Sequence, residues 1–165
     1  MIKRLPDLVI GPANDPYLYR WFLIPKNKFF NIYLHKFCRS DDDRALHDHP
    51  WLFNASILLN GEYYEEKPAS KDWPADLSRK KLKRRRFLPY IRLGKAPHRV
   101  ELIKFITDAP GRKDKYGSRE WPIYTIFITG PRVREWGFYC PKGWRLWTDY
   151  VKNSPGKSDI GRGCE

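Results

Sequence analysis

Residues 44–61 read RALHDHPWLFNASILLNG, and this stretch decides the expected fold. His47 and His49 precede an apolar run of strand-forming residues that ends at Asn60-Gly61. Residues two apart on an extended chain point to the same face, so the two imidazoles are expected to converge on one point. Asn-Gly between two strand-like runs favours a hairpin turn, because both residues tolerate positive φ. The stretch therefore predicts a strand pair with two histidines at its start.

Short strand-like segments continue on both sides of this stretch. They are rich in Ile, Val, Tyr, Phe and Trp and are separated by turns that contain Pro, Gly or Asn. The segments are residues 17–24, 29–38, 51–59, 62–66, 87–93, 99–106, 123–129, 134–139 and 144–151. The 14 Pro and 11 Gly disfavour long helices. Eight or nine short strands in a chain of this length predict an all-β, single-domain sandwich or barrel such as a jelly roll.

The remaining segments are expected to be irregular. Residues 67–78 and 108–120 are polar or charged loops, and residues 152–165 form a flexible tail beyond a domain of residues 1–151. The sequence contains neither a transmembrane run of about 18 apolar residues nor a secretory signal. The three widely spaced cysteines are typical of a reducing compartment, which predicts a cytoplasmic protein. Cys140 is interpreted as a buried structural cysteine, and Cys164 as a bystander in the tail.

The four histidines are the most informative residues for function. His98 begins another strand-like segment and is the third candidate metal ligand beside His47 and His49. Neutral imidazole is the commonest transition-metal ligand, and three converging histidines leave positions open for water or substrate. An isolated HxH is more often a surface loop, so the interpretation depends on the surrounding sequence. His35, within an apolar strand, is interpreted as a core residue.

That surrounding sequence resembles the cupin superfamily. Its first motif reads HxH, three or four residues, Glu, six residues and Gly; here Asn54 stands at the Glu position and Gly61 at the Gly position. His98 matches the histidine of the second motif. More narrowly, RxxHxHPW (residues 44–51) and GPRVREWGF (residues 130–138) resemble a group of small uncharacterised bacterial and phage cupin-like proteins. The resemblance implies a cupin-like jelly-roll barrel, a metal site and, in many relatives, a homodimer.

The resemblance also implies a reaction class. Without the motif glutamate, three neutral ligands leave the full charge of a divalent ion at the site, which favours an anionic substrate. The thiol dioxygenase branch of the cupins holds Fe(II) with three histidines, so a dioxygenase-like enzyme with Fe(II) is the first hypothesis, and Zn, Mn or Ni remain open. Asn54 is a candidate weak ligand or hydrogen-bond partner of a metal-bound water. A sugar-nucleotide epimerase or isomerase is an alternative, because such enzymes share this fold.

Three arginines are further candidates for the catalytic site. Arg44 lies three residues before His47, and its forked guanidinium suits a carboxylate or phosphate. Arg132 and Arg134 are two residues apart and therefore share one face of an extended segment. For all three, the competing interpretation is an ordinary surface charge.

The basic residues define a second functional hypothesis. The chain has 32 Lys and Arg against 19 Asp and Glu, a formal charge of +13. Seven of the cations lie in one run, RKKLKRRR: Arg79, Lys80, Lys81, Lys83, Arg84, Arg85 and Arg86. This basic run predicts either a solvated hairpin, a strip that attracts an anionic substrate, or the interface of a non-catalytic protein that binds nucleic acid or an acidic partner, as in a phage-type or regulatory protein.

Overall fold

The computed structural model describes residues 4–41, 45–106, 118–151 and 164, and these are almost entirely β-structure. The strands and the one short helix are β1 (Leu8–Ile10), β2 (Leu18–Phe22), β3 (Asn31–Phe37), β4 (Leu46–His47), β5 (Phe53–Leu58), β6 (Tyr63–Pro68), β7 (Arg79–Arg84), β8 (Pro89–Leu93), β9 (Arg99–Leu102), β10 (Lys104–Ile106), β11 (Ser118–Glu120), β12 (Ile123–Thr129), β13 (Gly137–Cys140), β14 (Gly143–Leu146) and α1 (Trp147–Val151). No helix within these described segments is long and apolar enough to cross a membrane.

The strands form two facing layers. The first layer is one antiparallel sheet in the order β1-β2-β3-β12-β5-β8. The second consists of two three-stranded sheets, β7-β6-β9 and β14-β13-β4, joined by an antiparallel bridge between His47 and His98. Strands β10 and β11 form a separate ribbon. This arrangement confirms the predicted all-β jelly roll, although hydrogen bonds between the described strands do not close it into a continuous barrel.

The core lies between the layers, and burial alternates along the central strands. Along β12 every second residue is buried, and β3 beside it follows the same pattern as far as His35. Leu58 and Ile123 from the first layer pack against Tyr63, Val100 and Leu102 from the second. This cluster fixes the register, since a slip of one residue would turn every buried side chain outwards.

The turn at Asn60-Gly61 differs from the expected hairpin. Gly61 does have a positive φ of 65°. However, β5 pairs with β12 and β8, whereas β6 pairs with β7 and β9. The turn therefore carries the chain from the first layer to the second instead of closing a hairpin.

The segment 144–151 was predicted to be a strand, but only its first part is one. After β14 the chain forms the single-turn helix α1. Trp147 stacks on Trp136 with ring centroids 5.6 Å apart, and Tyr150 stacks on Phe138 at 3.8 Å. Two aromatic rings three residues apart reach the same surface only when the backbone is helical, because strand positions three apart face opposite sides. Packing therefore overrides the β-propensity of this segment.

The expectations for loops and cysteines need correction as well. The predicted loop 108–120 contains a strand at its end, β11, and its other residues lie outside the described segments. Cys140 forms a disulfide with Cys164, so the interpretation of Cys164 as a bystander is wrong. Cys38 is free and half-buried. Apart from Cys164, the expected tail 152–165 lies outside the described residues.

Candidate metal centre

Three of the four histidines meet where the two halves of the second layer join. His47 ends β4, His49 follows two residues later, and His98 immediately precedes β9. The backbone amides of His47 and His98 each donate to the carbonyl oxygen of the other at 2.9 Å. One ligand atom from each of the three side chains lies within 4.8 Å of the others, and the Nε2 atoms of His49 and His98 are 2.7 Å apart. The structure thus brings together all three predicted metal ligands.

A close backbone approach positions His49 within this cluster. The amide of His49 donates to the carbonyl oxygen of Gly94 at 2.8 Å, and the amide of Gly94 donates to Leu52 at 3.1 Å. A Cβ on Gly94 would lie 1.6 Å from the carbonyl oxygen of Trp51. Because only glycine permits this approach, Gly94, four residues before His98, also fixes the HPW segment that contains His49.

Burial keeps the three imidazoles neutral. It lowers the pKa of His47, and it lowers the pKa of His49 and of His98 well below the ordinary value of 6.5; the positive charge of Arg92 adds to the effect at all three. A neutral imidazole has a free lone pair for a cation. Three converging nitrogen donors in one apolar pocket therefore fit a divalent transition metal.

These lowered pKa values predict how the stability of the metal-free protein depends on pH. Above about pH 6.5 the histidines are neutral in both the folded and the unfolded chain. Below that pH the histidines of the unfolded chain bind protons, whereas those of the folded chain stay neutral because their pKa values are lower. The free energy of unfolding is therefore expected to fall as the pH decreases from 6.5 to 5. Denaturant unfolding at several pH values measures this, and a free energy that is constant across that interval would contradict it.

A buried acid on the neighbouring strand contacts the third histidine. Glu65 on β6 is fully buried, and its Oε1 lies 2.9 Å from His98 Nδ1 and 2.8 Å from Arg92 Nη1. Arg84 Nε donates to Oε2 of the same carboxylate at 2.6 Å. Burial alone would raise the pKa of Glu65, but the hydrogen bond with His98 and the charges of Arg92 and Lys67 hold that pKa far below its usual range. Arg92 Nη1 also lies beside both ring nitrogens of His98, 3.1 Å from Nε2. Glu65 is therefore a buried anion beside His98 Nδ1, the position from which a carboxylate accepts the proton of a metal-binding imidazole.

The histidine cluster lies on the wall of a cavity of about 650 Å³. That volume suits a small molecule, for which pockets of about 300–1,000 Å³ are usual. The wall is mostly apolar, and seven of its residues carry aromatic rings: Tyr17, Phe37, Trp51, Phe127, Trp136, Phe138 and Trp147. Arg20, His35, Arg39 and Asp41 are the polar residues that line it besides the cluster.

The sequence did not single out two charged residues of this region, Arg20 in the cavity wall and Glu65 beside His98. Arg20 follows apolar residues within the strand-like segment 17–24, and a lone arginine in such a run is the signal that could have identified it. Glu65 lies in the polar run EYYEEK, where three acids look alike until the fold shows which one is buried. His35 lines the cavity but lies outside the cluster of three, in agreement with its interpretation as a non-ligand.

The other predicted site residues lie elsewhere. Asn54 is fully buried on β5 opposite Arg92, does not line the cavity, and its amide has no hydrogen-bond partner among the described residues. Arg132 pairs with Glu135 at 2.7 Å on the surface. Arg134 pairs at 2.6 Å with the buried carboxylate of Asp48, on the side of the chain away from the histidines. Arg44 lies outside the described residues.

The basic run belongs largely to the edge strand β7. Lys81 contacts Glu101 at 2.5 Å and Glu66 at 3.4 Å, while Lys83 contacts Glu62 at 2.6 Å. Arg79 pairs with Glu66 at 3.3 Å, and Arg84 pairs with Glu65. Four of the seven cations therefore have carboxylate partners, which lie on β6, on β9 and, for Glu62, just before β6. Lys80, Arg85 and Arg86 have no acidic partner among the described residues. The predicted strip is thus partly neutralised by cross-strand ion pairs.

The comparisons with known proteins come from structure alone, since no family model and no curated protein matches the sequence. The chain is similar to an uncharacterized conserved protein with a double-stranded β-helix domain from Klebsiella pneumoniae, at 12% identity over 79% of this chain and 90% of that one, with a TM-score of 0.47. It is also similar to an RmlC-like cupin protein from Ralstonia eutropha, at 13% identity over 84% and 70% of the two chains, with a TM-score of 0.47. For hydroxypropylphosphonic acid epoxidase from S. wedmorenis the identity is 14%, the shares are 78% and 59%, and the TM-score is 0.45.

The strand order and the histidine cluster agree with what the resemblance of the HxH motif predicted. The fold is a two-layered all-β jelly roll of the double-stranded β-helix type, and its three-histidine cluster can hold a divalent metal. The narrower likeness of RxxHxHPW to small bacterial and phage proteins stays a prediction.

Proposed function

We propose that the protein is a metal-dependent enzyme of the cupin type that acts on a small anionic substrate. The observation that carries this proposal is the convergence of three neutral imidazoles on the wall of a largely apolar cavity of about 650 Å³. Three uncharged ligands leave the charge of a divalent ion uncompensated, so an anion is the natural fourth partner. The fold hosts many activities, so the proposal rests on this site.

Each residue around the cluster has a distinct role in this proposal. His47, His49 and His98 hold the ion, and Glu65 fixes the ring orientation and tautomer of His98. Trp51 stacks on the His49 ring with centroids 5.4 Å apart, and Phe127 lies 6.2 Å from the same ring. These two rings exclude water from one side of the cluster and so strengthen its electrostatic interactions with a bound anion.

For the metal and the reaction we propose Fe(II) and a dioxygenase-like transformation. What supports this choice is the donor set of three histidines without a carboxylate, which resembles that of the thiol dioxygenase branch of the cupins. Asn54, which replaces the motif glutamate, adds no negative charge to the set. Bound at this site, an iron ion would supply redox chemistry with oxygen, while the cavity would orient the substrate.

Metal analysis of the purified protein tests the proposal. We expect about one equivalent of a divalent transition metal per chain after anaerobic loading with Fe(II), and its loss when His47, His49 and His98 are all changed to Ala. His35→Ala is the matched control, since His35 lines the same cavity outside the cluster, and it should retain the metal. A wild-type protein without stoichiometric metal, or equal metal content in the triple variant, would overturn the proposal.

A further inference from the structure

Arg20 brings a positive charge into the cavity next to His35. It lies on β2 opposite His35 of β3, and its Nε donates to His35 Nε2 at 2.9 Å. Its Cζ lies 4.7 Å from the centroid of the Tyr33 ring, so the guanidinium is also held against an aromatic face. These contacts fix the orientation of the side chain while its two Nη nitrogens have no assigned hydrogen-bond partner among the described residues.

No carboxylate within the described part of the chain pairs with Arg20. The other arginines of the interior do have acidic partners: Arg92 contacts Glu65 at 2.8 Å, and Arg39 contacts Asp15 at 3.8 Å. Asp41, the acid that lines the cavity, is engaged by the Tyr17 hydroxyl and by the Val100 amide at 2.8 Å. Removing part of a cation from water without a counter-charge is costly, which explains why burial lowers the pKa of the half-buried Arg20.

A continuous aromatic surface connects Arg20 with the metal centre. The Phe127 ring stacks on His35 with centroids 5.0 Å apart and lies 6.2 Å from the His49 ring. Trp51 packs edge-to-face on Phe127 at 5.6 Å and stacks on His49. The Phe127 ring therefore lies between the Arg20–His35 pair and the histidine cluster. Flat aromatic molecules bury their faces on such a surface.

We propose that the cavity binds an aromatic carboxylic acid, with its carboxylate on Arg20 and its ring along Phe127 and Trp51. The guanidinium fork matches a carboxylate, and the anion supplies the counter-charge that the protein itself lacks there. Any reaction of the bound acid rests on the proposed function, because the end of the ligand opposite its carboxylate would reach the three histidines. Binding of the acid requires Arg20 and the aromatic surface, and it does not require the metal.

Binding measurements with a charged and a neutral probe test the inference. The probes are 3-phenylpropionate and its neutral analogue 3-phenylpropanamide, titrated by calorimetry into metal-free and into Zn(II)-loaded protein. We expect the metal-free wild type to bind the acid about 10- to 100-fold more tightly than the amide, the range of charge-assisted hydrogen bonds. Arg20→Gln should abolish this preference, whereas Arg132→Gln, at a surface arginine outside the cavity, should retain it.

The outcomes separate this inference from the proposed function. Equal affinity of the wild type for acid and amide, or an unchanged preference in a folded Arg20→Gln variant, would overturn the inference even if the metal binds. A preserved preference in a protein that binds no metal would support the inference and overturn the proposed function. If Arg20→Gln does not fold, the wild-type comparison of the two probes still decides, since Arg20 is the cavity cation without an acidic partner among the described residues.

Discussion

Changing Glu65 to Gln is expected to weaken metal binding about 10- to 100-fold and to lower the free energy of unfolding by about 3–5 kcal/mol. Both effects follow from the same buried carboxylate. The amide keeps the shape of the side chain but loses the charge, so Arg84 and Arg92 remain largely buried without their counter-charge. The amide is also a weaker acceptor for the Nδ1 proton of His98 than a carboxylate is. Metal titration and denaturant unfolding measure the two effects separately.

Glu62→Gln is the matched control for this experiment. Glu62 lies close to Glu65 in sequence and contacts Lys83 of the basic run at 2.6 Å, but the pair is about two-fifths exposed. A surface pair contributes little, so this variant should unfold and bind metal almost as the wild type does. Equal behaviour of the two variants would show that Glu65 neither orients His98 nor balances the buried arginines.

The second large effect is expected at Asp48, the residue between the two histidines of the HxH motif. Asp48→Asn should lower the free energy of unfolding by about 3 kcal/mol, because an amide nitrogen would replace an acceptor oxygen of a fully buried carboxylate. Its Oδ1 accepts from the Gly137 amide at 2.7 Å, and its Oδ2 accepts from Arg134 at 2.6 Å and Trp144 at 3.2 Å. Thermal or denaturant unfolding measures the loss.

The exposed pair nearby gives the comparison for Asp48. Glu135 contacts Arg132 at 2.7 Å, and both side chains are more than half exposed, so Glu135→Gln should leave unfolding nearly unchanged. Because Asp48 anchors the backbone between His47 and His49, Asp48→Asn should also reduce the metal content. A variant with wild-type stability would mean that the hydrogen bonds to Asp48 do not hold the HxH segment in place.

The local part of the candidate site could be predicted from the sequence, because it depends on chain geometry. Strand alternation places His47 and His49 on one face, with ring centroids 5.1 Å apart, and turns Asp48 to the other. The same alternation places Asp48 where it pairs with Arg134, the candidate catalytic arginine, which does not line the cavity.

The non-local part could not be predicted in the same way. The run RKKLKRRR suggests a free basic surface until pairing places β7 beside β6, where Glu65 and Glu66 supply counter-charges. Asn60-Gly61 has the residues of a hairpin turn, but the partner of β5 is decided by burial against β12, more than 60 residues later. Charge neutralisation and strand pairing depend on contacts between distant segments, which local spacing does not encode.

The bridge between His47 and His98 has a mechanical consequence for the proposed metalloprotein. Two backbone hydrogen bonds are the only sheet pairing assigned between the two halves of the second layer among the described residues. An ion held by His47, His49 and His98 would bind residues from both halves of the second layer and would therefore act as a reversible cross-link between the two sheets. The free energy needed to separate the two sheets would then increase with the logarithm of the free metal concentration. The occupancy of the metal site would therefore also determine how rigid the cavity wall is.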